Sequence, residues 1–485
     1  MTKRILAAIL TAALVIALSA CGNGSQTVSS NTPAPSDTPE VSPSAGVSAV
    51  RYTADGKRII TIGTWSDIYY VSKHTSIYDD PTVPHLSDDD DEETKAEKEH
   101  RIQIAELRLA KLREVELKYN VVIEYVNLTF EGIQESIRTS IAEGIPDVDI
   151  YQVDSQFGIP AVLDGLAIAL EDIGLANTDV FNEQAVTKNL KLAGQDKSYL
   201  FNPSNSGGVS SYPLAFNLDM VEAAGLENPQ DLFDRGEWTW DVWENYLKVL
   251  TVDADEDGTP EVYGYSGYWT NMLNNLLMSN DAGIARGEKQ TMDSKETREV
   301  FDFIYKIYNT DKTARPWDSA NWEINNKLYA EGLSAFWIGA DWIFDQQGGN
   351  DLPFEIGIVP WPCGPSGDPA TNHYSSPDMN WYMLPKGAED SELIYNVIFD
   401  WLNWYDFDTE KADDYDWSRE RYGSERNFAY ALMMSQRQGF DLWDSLSKIV
   451  NFSLVYLMTG AQNTTQFIES YADAYQNALN AYFTN

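Results

Sequence analysis

The spacing that is closest to a metal site lies between residues 253 and 261. Carboxylates occupy the first, third and fifth positions of this stretch and Gly258 the sixth, which is the pattern that opens an EF-hand calcium loop. The candidate ligands are Asp253, Asp255, Asp257, Thr259 and Glu261. The twelfth position is Gly264 instead of a bidentate Glu, so the complete EF-hand site is absent. Two interpretations stay open: a loop that holds a structural calcium ion, and an Asp-rich turn without metal.

Motifs for catalysis are missing from the sequence. It has no Walker-type phosphate loop, no Gly-x-Gly-x-x-Gly, no His-Glu-x-x-His and no Gly-x-Ser-x-Gly. The four histidines lack ligand spacing, and Cys363 stands alone in a Pro-Cys-Gly-Pro loop. A carboxylate pair for glycoside hydrolysis can always be chosen among 75 acidic residues, so such a choice carries no weight. We therefore expect a binding protein that is not an enzyme, with a surface-anchored glycoside hydrolase as the alternative.

Side chains suited to ligand binding follow the first and third predicted strands. The elements that position them alternate as strand, helix, strand, helix, strand: Ile59–Thr64, Lys95–Tyr119, Val121–Val126, Phe130–Glu143 and Val148–Val153. This order predicts a parallel sheet, and ligands bind beyond the carboxyl ends of such strands. The residues at those ends are Trp65, Asp67, Asp154 and Ser155. For both aspartates, contact with a ligand and capping of the following helix are equally consistent with the pattern.

The chain starts a second set of elements after the turn-rich segment 202–213, NPSNSGGVSSYP, which is typical of a hinge. Strands are predicted at 214–217, 263–265, 334–338, 354–359 and 380–384. The chain is expected to cross back towards the first lobe at 334–338 and to make its last crossing at 380–384. Further binding candidates stand at or beside these segments: Tyr212, Trp269, Asp341, Trp342 and Trp381. About 435 residues after residue 50 exceed one ordinary core, so two lobes with three crossings between them are expected.

Helices are predicted to run to the end of the chain. Their predicted ranges are Glu392–Tyr405, Phe428–Met434, Leu442–Met458 and Thr465–Tyr482. In the last helix, aromatic residues including Phe467, Tyr471 and Tyr475 line one stripe, which indicates core packing more than a ligand site.

The amino terminus has the layout of a bacterial secretory signal. Lys3 and Arg4 precede an apolar run from Ile5 to Leu18, and the run is too short to span a bilayer. The Leu-Ser-Ala-Cys ending resembles a lipobox, which implies cleavage before Cys21 and its acylation, palmitate included. An ordinary signal peptide with an incidental Cys is the alternative. Residues 22–50 are rich in Ser, Thr, Gly and Pro and read as a flexible tether.

Charge and aromatic content narrow the ligand class. A formal net charge of -41 argues against nucleic acid, because no basic patch is present to replace counterions. The chain has 15 Trp, 27 Tyr and 18 Phe, a surplus that suits a cleft in which rings stack on flat apolar faces of a ligand and hydrogen bonds hold its edges. Peptides and polyamines are not excluded as ligands by these counts.

Several stretches resemble one family. Thr239-Trp240-Asp241 opens a helix after a Gly-Leu-Glu-Asn-Pro turn, Val148–Gly158 reads VDIYQVDSQFG, and Glu331–Trp342 reads EGLSAFWIGADW. Together, from about residue 59 to the carboxyl terminus, they resemble the extracellular solute-binding proteins of carbohydrate ABC importers, the maltose-binding-protein class. The insertion at residues 69–100, polar and acidic, departs from a compact member of that family.

The resemblance implies an α/β, two-lobed periplasmic-binding-protein-like fold of type II, in which each lobe is a sheet flanked by helices and hinge crossings join the lobes. On this basis residues 1–20 are the signal peptide and 21–50 the lipid-anchored tether. Residues 51–208 and 333–378 form the first lobe, and 209–332 and 379–485 the second.

We expect a monomer on the extracellular face of the cell membrane, held there by its lipid. The resemblance implies that it captures a sugar or oligosaccharide between its lobes and delivers it to an ABC permease. In this interpretation Trp65, Trp269, Trp342 and Trp381 stack on the ligand, while Asp67, Asp154, Tyr212 and Asp341 bond its hydroxyls. An adhesive surface lipoprotein without a transport role is a further alternative.

Overall fold

The computed structural model describes residues 50–65, 76–81, 83–175, 197–202, 211–318, 324–339, 352–375, 381–406 and 418–483. Six predictions from the sequence concern residues outside these ranges: the signal peptide, the tether, Cys21, Asp67, Asp341 and Trp342. Most of the expected hinge segment, residues 203–210, lies outside them as well. Within the described ranges, no helix has both the length and the apolar character that crossing a bilayer requires.

The strands and helices follow the sequence-based order closely. The strands are β1 (Arg51–Tyr52), β2 (Arg58–Thr64), β3 (Val121–Asn127), β4 (Ile150–Val153), β5 (Leu200–Phe201), β6 (Leu214–Asn217), β7 (Tyr263–Tyr265), β8 (Ala285–Arg286), β9 (Lys289–Gln290), β10 (Ser334–Ile338), β11 (Ile356–Val359), β12 (Tyr374–Ser375), β13 (Trp381–Met383) and β14 (Gln438–Gly439). The helices are α1 (Glu92–Tyr119), α2 (Phe130–Ser140), α3 (Ser155–Leu163), α4 (Leu218–Ala223), α5 (Pro229–Asp234), α6 (Trp240–Leu250), α7 (Trp269–Ser279), α8 (Lys295–Tyr305), α9 (Ile324–Ala330), α10 (Ser391–Leu402), α11 (Ser418–Arg421), α12 (Glu425–Gln436), α13 (Trp443–Ser447), α14 (Val455–Met458) and α15 (Thr464–Phe483).

The first sheet is built on the predicted parallel alternation. β2 pairs in parallel with both β3 and β4, with Ile60 opposite Ile123 and Ile62 opposite Ile150. In the described part of the chain this sheet has six strands, and its order continues from β4 through β13 to β5. Most of β2 is buried, as expected for a parallel strand covered on both faces.

The second sheet has the order β11-β6-β10-β7 among the described strands. β6 lies antiparallel to both β10 and β11, while β10 runs parallel to β7. Its core is dense in aromatic rings: Trp243 packs edge-on against both Phe336 and Trp361. Both sheets are flanked by helices, which confirms the α/β, two-lobed fold class.

For three strands, the sequence predicted the wrong lobe. β10 and β11 were expected in the first lobe with 333–378, but they pair with β6 in the second sheet. β13 was expected in the second lobe with 379–485, but it lies between β4 and β5 in the first sheet. Nearly all residues of the three strands are buried, so their sequences indicate a buried strand without indicating which strands it pairs with.

Among the described elements the chain passes between the two sheets three times, as expected. Two crossings lie at predicted places, in the segment 202–213 and at 378–379, whereas at 332–333 the chain stays in the second sheet instead of crossing. It crosses between β5 and β6, returns between β12 and β13, and crosses again between α10 and α12. α10 packs on α1 in the first lobe, where the Lys118 ammonium donates to Asp400 at 2.6 Å. α12 packs on β11 in the second lobe.

The single helix predicted over Leu442–Met458 is also wrong, because the segment forms α13 and α14 with a turn between them. Asn451 in this turn has a φ of 53°, a left-handed conformation that an α-helix does not continue through. The turn lets Phe452 pack against Trp443, Phe467 and Tyr475. The stripe on α15 is core, as predicted.

A buried ion pair ties the start of β2 to the rest of the first lobe. The Arg58 guanidinium donates to Asp149 at 3.0 Å, to Asp390, and to the Glu389 carbonyl at 2.8 Å. The Arg58 side chain is 6% exposed and that of Asp149 19% exposed. The Asp149 carboxylate also accepts from the Thr61 amide at 2.8 Å, so it fixes the register of β2.

Replacing Arg58 by Met is expected to lower the free energy of unfolding by about 3 kcal/mol, because it leaves the Asp149 carboxylate largely buried and without its cation. Urea unfolding followed by circular dichroism measures the change. Arg51→Met is the matched control, since that side chain is 53% exposed and lies 3.8 Å from Glu124; it should cost less than about 0.5 kcal/mol. Equal losses for the two variants would contradict a special role for Arg58.

Candidate functional site

Three aromatic rings lie where β2, β3 and β4 end, and they are called the first-lobe aromatic cluster: Trp65, Phe130 and Phe157. Trp65 meets Phe157 edge-on at 5.6 Å between ring centroids and Phe130 edge-on at 6.4 Å. Trp65 is half-buried, so part of its ring is accessible. The sequence predicted Trp65 at this edge, whereas Phe130 and Phe157 read only as helix residues.

Asp154 is the N-cap of α3. Its Oδ1 accepts from the Gln156 amide at 2.8 Å and from the Phe157 amide at 3.2 Å. The capping interpretation is therefore correct, and contact with a ligand stays a prediction. Ser155 follows as the first helical residue, and its carbonyl accepts from the Ser445 hydroxyl at 2.9 Å.

A second group of rings, the second-lobe aromatic cluster, consists of Trp269, Trp443 and Phe452. Trp269 is the first residue of α7 and is half-buried, with its centroid 6.3 Å from Trp443 and 6.2 Å from Phe452. The Trp443 indole donates to Asn274 Oδ1 at 2.7 Å and is fully buried. The sequence predicted Trp269 as a residue on which a ligand stacks. It gave no such indication for Trp443, which lies within the predicted helix Leu442–Met458.

A further pair of rings lies at the start of α7. The ring centroids of Tyr268 and Trp317 are 6.0 Å apart, and both residues are half-buried. Tyr268 is the N-cap of α7 and directly precedes Trp269. The strand-to-helix junction from which Trp269 was predicted therefore indicates Tyr268 as well. Trp317 lies in a loop without any such signal.

Tyr212 and Trp381 have different surroundings. Tyr212 is half-buried, and its carbonyl accepts from the Trp361 indole at 2.6 Å. Trp381 is 1% exposed and sits in β13 between β4 and β5, which is the position of a core residue. Trp65, Tyr212 and Trp269 are partly buried against one continuous group of buried side chains that includes residues of both lobes.

A buried carboxylate fixes the segment that carries Trp443. The Asp441 carboxylate accepts from three backbone amides: Ile284 at 2.7 Å, Ala285 at 2.8 Å and Trp443 at 2.9 Å. Burial raises the pKa of Asp441, while the positive charge of Arg286 and these amide donors oppose the shift. The second-lobe aromatic cluster is thus held by a polar contact as well as by packing.

The acidic loop directly precedes β7 in the second lobe. Carboxylate oxygens of Asp253, Asp255 and Glu261 lie within 4.8 Å of one another, whereas the Asp257 carboxylate does not join this group. Instead, Asp257 accepts from the Thr259 amide at 2.8 Å. Asp253 Oδ1 is buried and has no hydrogen-bond partner among the described residues.

Packing explains why the twelfth position of this loop is Gly264. A Cβ at that position would lie 2.6 Å from the Leu247 carbonyl oxygen, so no Glu fits there. Gly258, at the sixth position, has a φ of 88° and donates its amide to Asp253 at 3.0 Å. The loop therefore turns at Gly258, and Glu261 lies near Asp253 and Asp255.

Comparison with known proteins identifies the family. The sequence model of the bacterial extracellular solute-binding proteins matches residues 114–406, which is more than half of the chain. The chain belongs to this family. No curated protein sequence matches it.

Solved structures of other solute-binding proteins share the fold. The ABC substrate-binding protein Lmo0181 of Listeria monocytogenes, in complex with cycloalternan, is 17% identical with a TM-score of 0.55, over 78% of this chain and 95% of that one. The maltose/maltodextrin-binding domain MalE of Bdellovibrio bacteriovorus, bound to maltotriose, is 15% identical with a TM-score of 0.55, over 87% and 99%. UgpB of Mycobacterium tuberculosis, in complex with glycerophosphocholine, is 13% identical over 79% and 96% with a TM-score of 0.55.

Two substitutions at Asp154 separate its cap from a contact with solute. Asp154→Ala is expected to lower the free energy of unfolding of this solute-binding protein by about 1 kcal/mol, whereas Asp154→Asn should leave it nearly unchanged because Asn caps as well as Asp. Thermal unfolding measures both. Equal destabilisation by Asn and Ala would show that the charge of Asp154, and not its cap, matters for folding.

Proposed function

We propose that this solute-binding protein captures a sugar or oligosaccharide between its two lobes and delivers it unchanged to an ABC permease. One observation carries the proposal: half-buried indole rings stand at the carboxyl ends of strands on both sheets, Trp65 after β2 and Trp269 after β7. Ligands of parallel sheets bind at that edge, so a solute between the lobes meets an aromatic surface from each side.

Sugars suit these surfaces chemically. A pyranose ring has an apolar face that stacks on an indole and hydroxyls around its edge that need hydrogen bonds. Tyr268, which directly precedes Trp269, pairs with Trp317 at 6.0 Å between ring centroids, and this further aromatic surface on the second lobe favours more than one sugar unit over a monosaccharide. Solved structures with the same fold hold cycloalternan and maltotriose, which agrees with an oligosaccharide, while the one that holds glycerophosphocholine marks the main alternative.

The proposal includes the setting of the protein. Acylation of Cys21 would anchor a monomer on the extracellular face of the membrane, within reach of a permease. Delivery without chemical change follows from the lack of a catalytic motif in the sequence. A glycoside hydrolase and an adhesive lipoprotein are the other candidates, and the following experiment separates all three.

Thermal shift against maltotriose, cycloalternan, other oligosaccharides and glycerophosphocholine is the direct test. A ligand at a hundred times its Kd should add about 2.7 kcal/mol to the free energy of unfolding. Chromatography of the same mixtures should show no product. Product formation would support a hydrolase, a response to glycerophosphocholine alone would exclude the sugar, and no response to any solute would support an adhesin.

Trp269→Ala should weaken binding of the sugar found in this way about 30-fold, because the loss of one stacked indole costs about 2 kcal/mol. Isothermal titration below the unfolding transition measures the affinity. Trp404→Ala is the matched control, because Trp404 lies in the first lobe, whereas Trp269 lies in the second. The Arg108 guanidinium lies over the Trp404 indole ring, 4.9 Å from the ring centroid. A similar loss in both variants would place the effect in stability and not in the site.

We further propose that the acidic loop holds a structural calcium ion through Asp253, Asp255 and Glu261. Support comes from the convergence of their oxygens and from the buried, unpartnered Asp253 Oδ1. In this proposal Asp257 and Thr259 shape the loop and do not bind the ion.

Added calcium should raise the melting temperature of chelator-treated protein, and magnesium should raise it less because Mg²⁺ demands a stricter octahedral geometry. Differential scanning calorimetry measures the shift. Glu261→Gln should reduce the calcium response, whereas Glu237→Gln, an exposed carboxylate paired with Arg235, should leave it intact. If calcium does not change the melting temperature of the wild-type protein, the loop is an Asp-rich turn that holds no metal.

A further inference from the structure

The short helix α13 belongs to the second lobe. Asp441 joins its start to the β8 segment through the Ile284 and Ala285 amides, at 2.7 Å and 2.8 Å. Tyr475 on α15 donates its hydroxyl to the Trp443 carbonyl at 3.0 Å. Any movement of the second lobe therefore carries α13 with it.

The same helix touches the first lobe. α13 packs along α3, and the Ser445 hydroxyl donates to the Ser155 carbonyl at 2.9 Å. Ser155 is placed by β4 and by the Asp154 cap, so this bond joins the edge of the first sheet to the second lobe.

A second contact lies one turn further along the chain. The Lys448 ammonium donates to Gln134 Oε1 at 2.6 Å and lies 5.1 Å from the centroid of the Phe130 ring. The Gln134 amide nitrogen donates to the Phe130 carbonyl at 3.0 Å, which turns its oxygen towards Lys448. Phe130 belongs to the first-lobe aromatic cluster, so the contact borders the proposed sugar site.

These contacts depend on the distance between the lobes. One contact is made by the short Ser445 side chain and the other by the Lys448 ammonium. A hydrogen bond is lost when its donor and acceptor separate by a few ångströms. Opening of the lobes would break both, while neither lobe would lose a bond of its own. The two contacts therefore add free energy to the closed arrangement alone.

We propose that Ser445 and Lys448 form an interlobe latch, with Ser155, Gln134 and Phe130 as its partners, that favours lobe closure and so sets how tightly solute is held. The effect on affinity rests on the proposed function, because a solute bound by both lobes is held more tightly when the closed state is more populated. The effect on closure does not rest on it.

A charge series at Gln134 tests the latch without any ligand. Gln134→Glu gives Lys448 an anionic partner and should raise the closed-to-open ratio about two- to five-fold, and Gln134→Lys should lower it by a similar factor. Small-angle X-ray scattering of the ligand-free protein reads the ratio when the open state is well populated. Hydrogen exchange of the α13 amides reads it when the open state is rare, because exchange scales with the open fraction.

Controls keep the series interpretable. Gln436→Glu and Gln436→Lys make the same charge changes at an exposed position on α12 and should alter neither measurement. Ser445→Ala removes the other contact and should act in the same direction as Gln134→Lys. An unchanged radius of gyration together with unchanged exchange across the Gln134 series would overturn the latch.

The two proposals fail separately. If no sugar binds but the Gln134 series shifts scattering or hydrogen exchange in the expected order, the latch proposal is supported and the sugar proposal is wrong. If sugar binds and the series changes neither closure measurement, the latch is wrong and the solute assignment stands. With both correct, sugar affinity should fall in the order Gln134→Glu, wild type, Gln134→Lys.

Discussion

The parallel pairing of β2 with β3 and β4 is the constraint on which the first lobe depends. Its register places Thr64 opposite Asn127 and Gly63 opposite Tyr151, so the three strands end at one edge. Trp65, Phe130 and Asp154 come from three separate parts of the sequence, and only this pairing brings them to the same edge. The Asp149 carboxylate secures the register by bonding the Thr61 amide and the Arg58 guanidinium.

In the second lobe, aromatic packing positions the candidate site residue Trp269. Trp269, Trp443 and Phe452 contact one another, and Asp441 fastens the segment that carries Trp443. Rings that are supported in this way lose little conformational entropy when a ligand stacks on them. The high aromatic content thus serves the core and the candidate site at once, which is why composition alone did not separate the two.

The sequence predicted the order of elements in the first lobe and most helix boundaries, because periodicity and capping residues are local signals. It missed the partners of β10, β11 and β13, since a buried strand carries no mark of its neighbours. Trp65 and Trp269 were found because strand-to-helix junctions are visible in sequence. Trp317 and Phe157 were missed because their position depends on packing between distant segments.

The insertion of β13 between β4 and β5 has a consequence for biosynthesis. The gap between β4 and β5 in the first sheet is filled by residues 381–383, which begin 180 residues after β5 ends at Phe201. A chain that emerges amino terminus first cannot close this sheet until most of its length is available, and such non-local pairing is intrinsically slow. The first sheet therefore stays incomplete during most of synthesis, an order of assembly that suits an extracellular protein whose chain crosses a membrane before it folds.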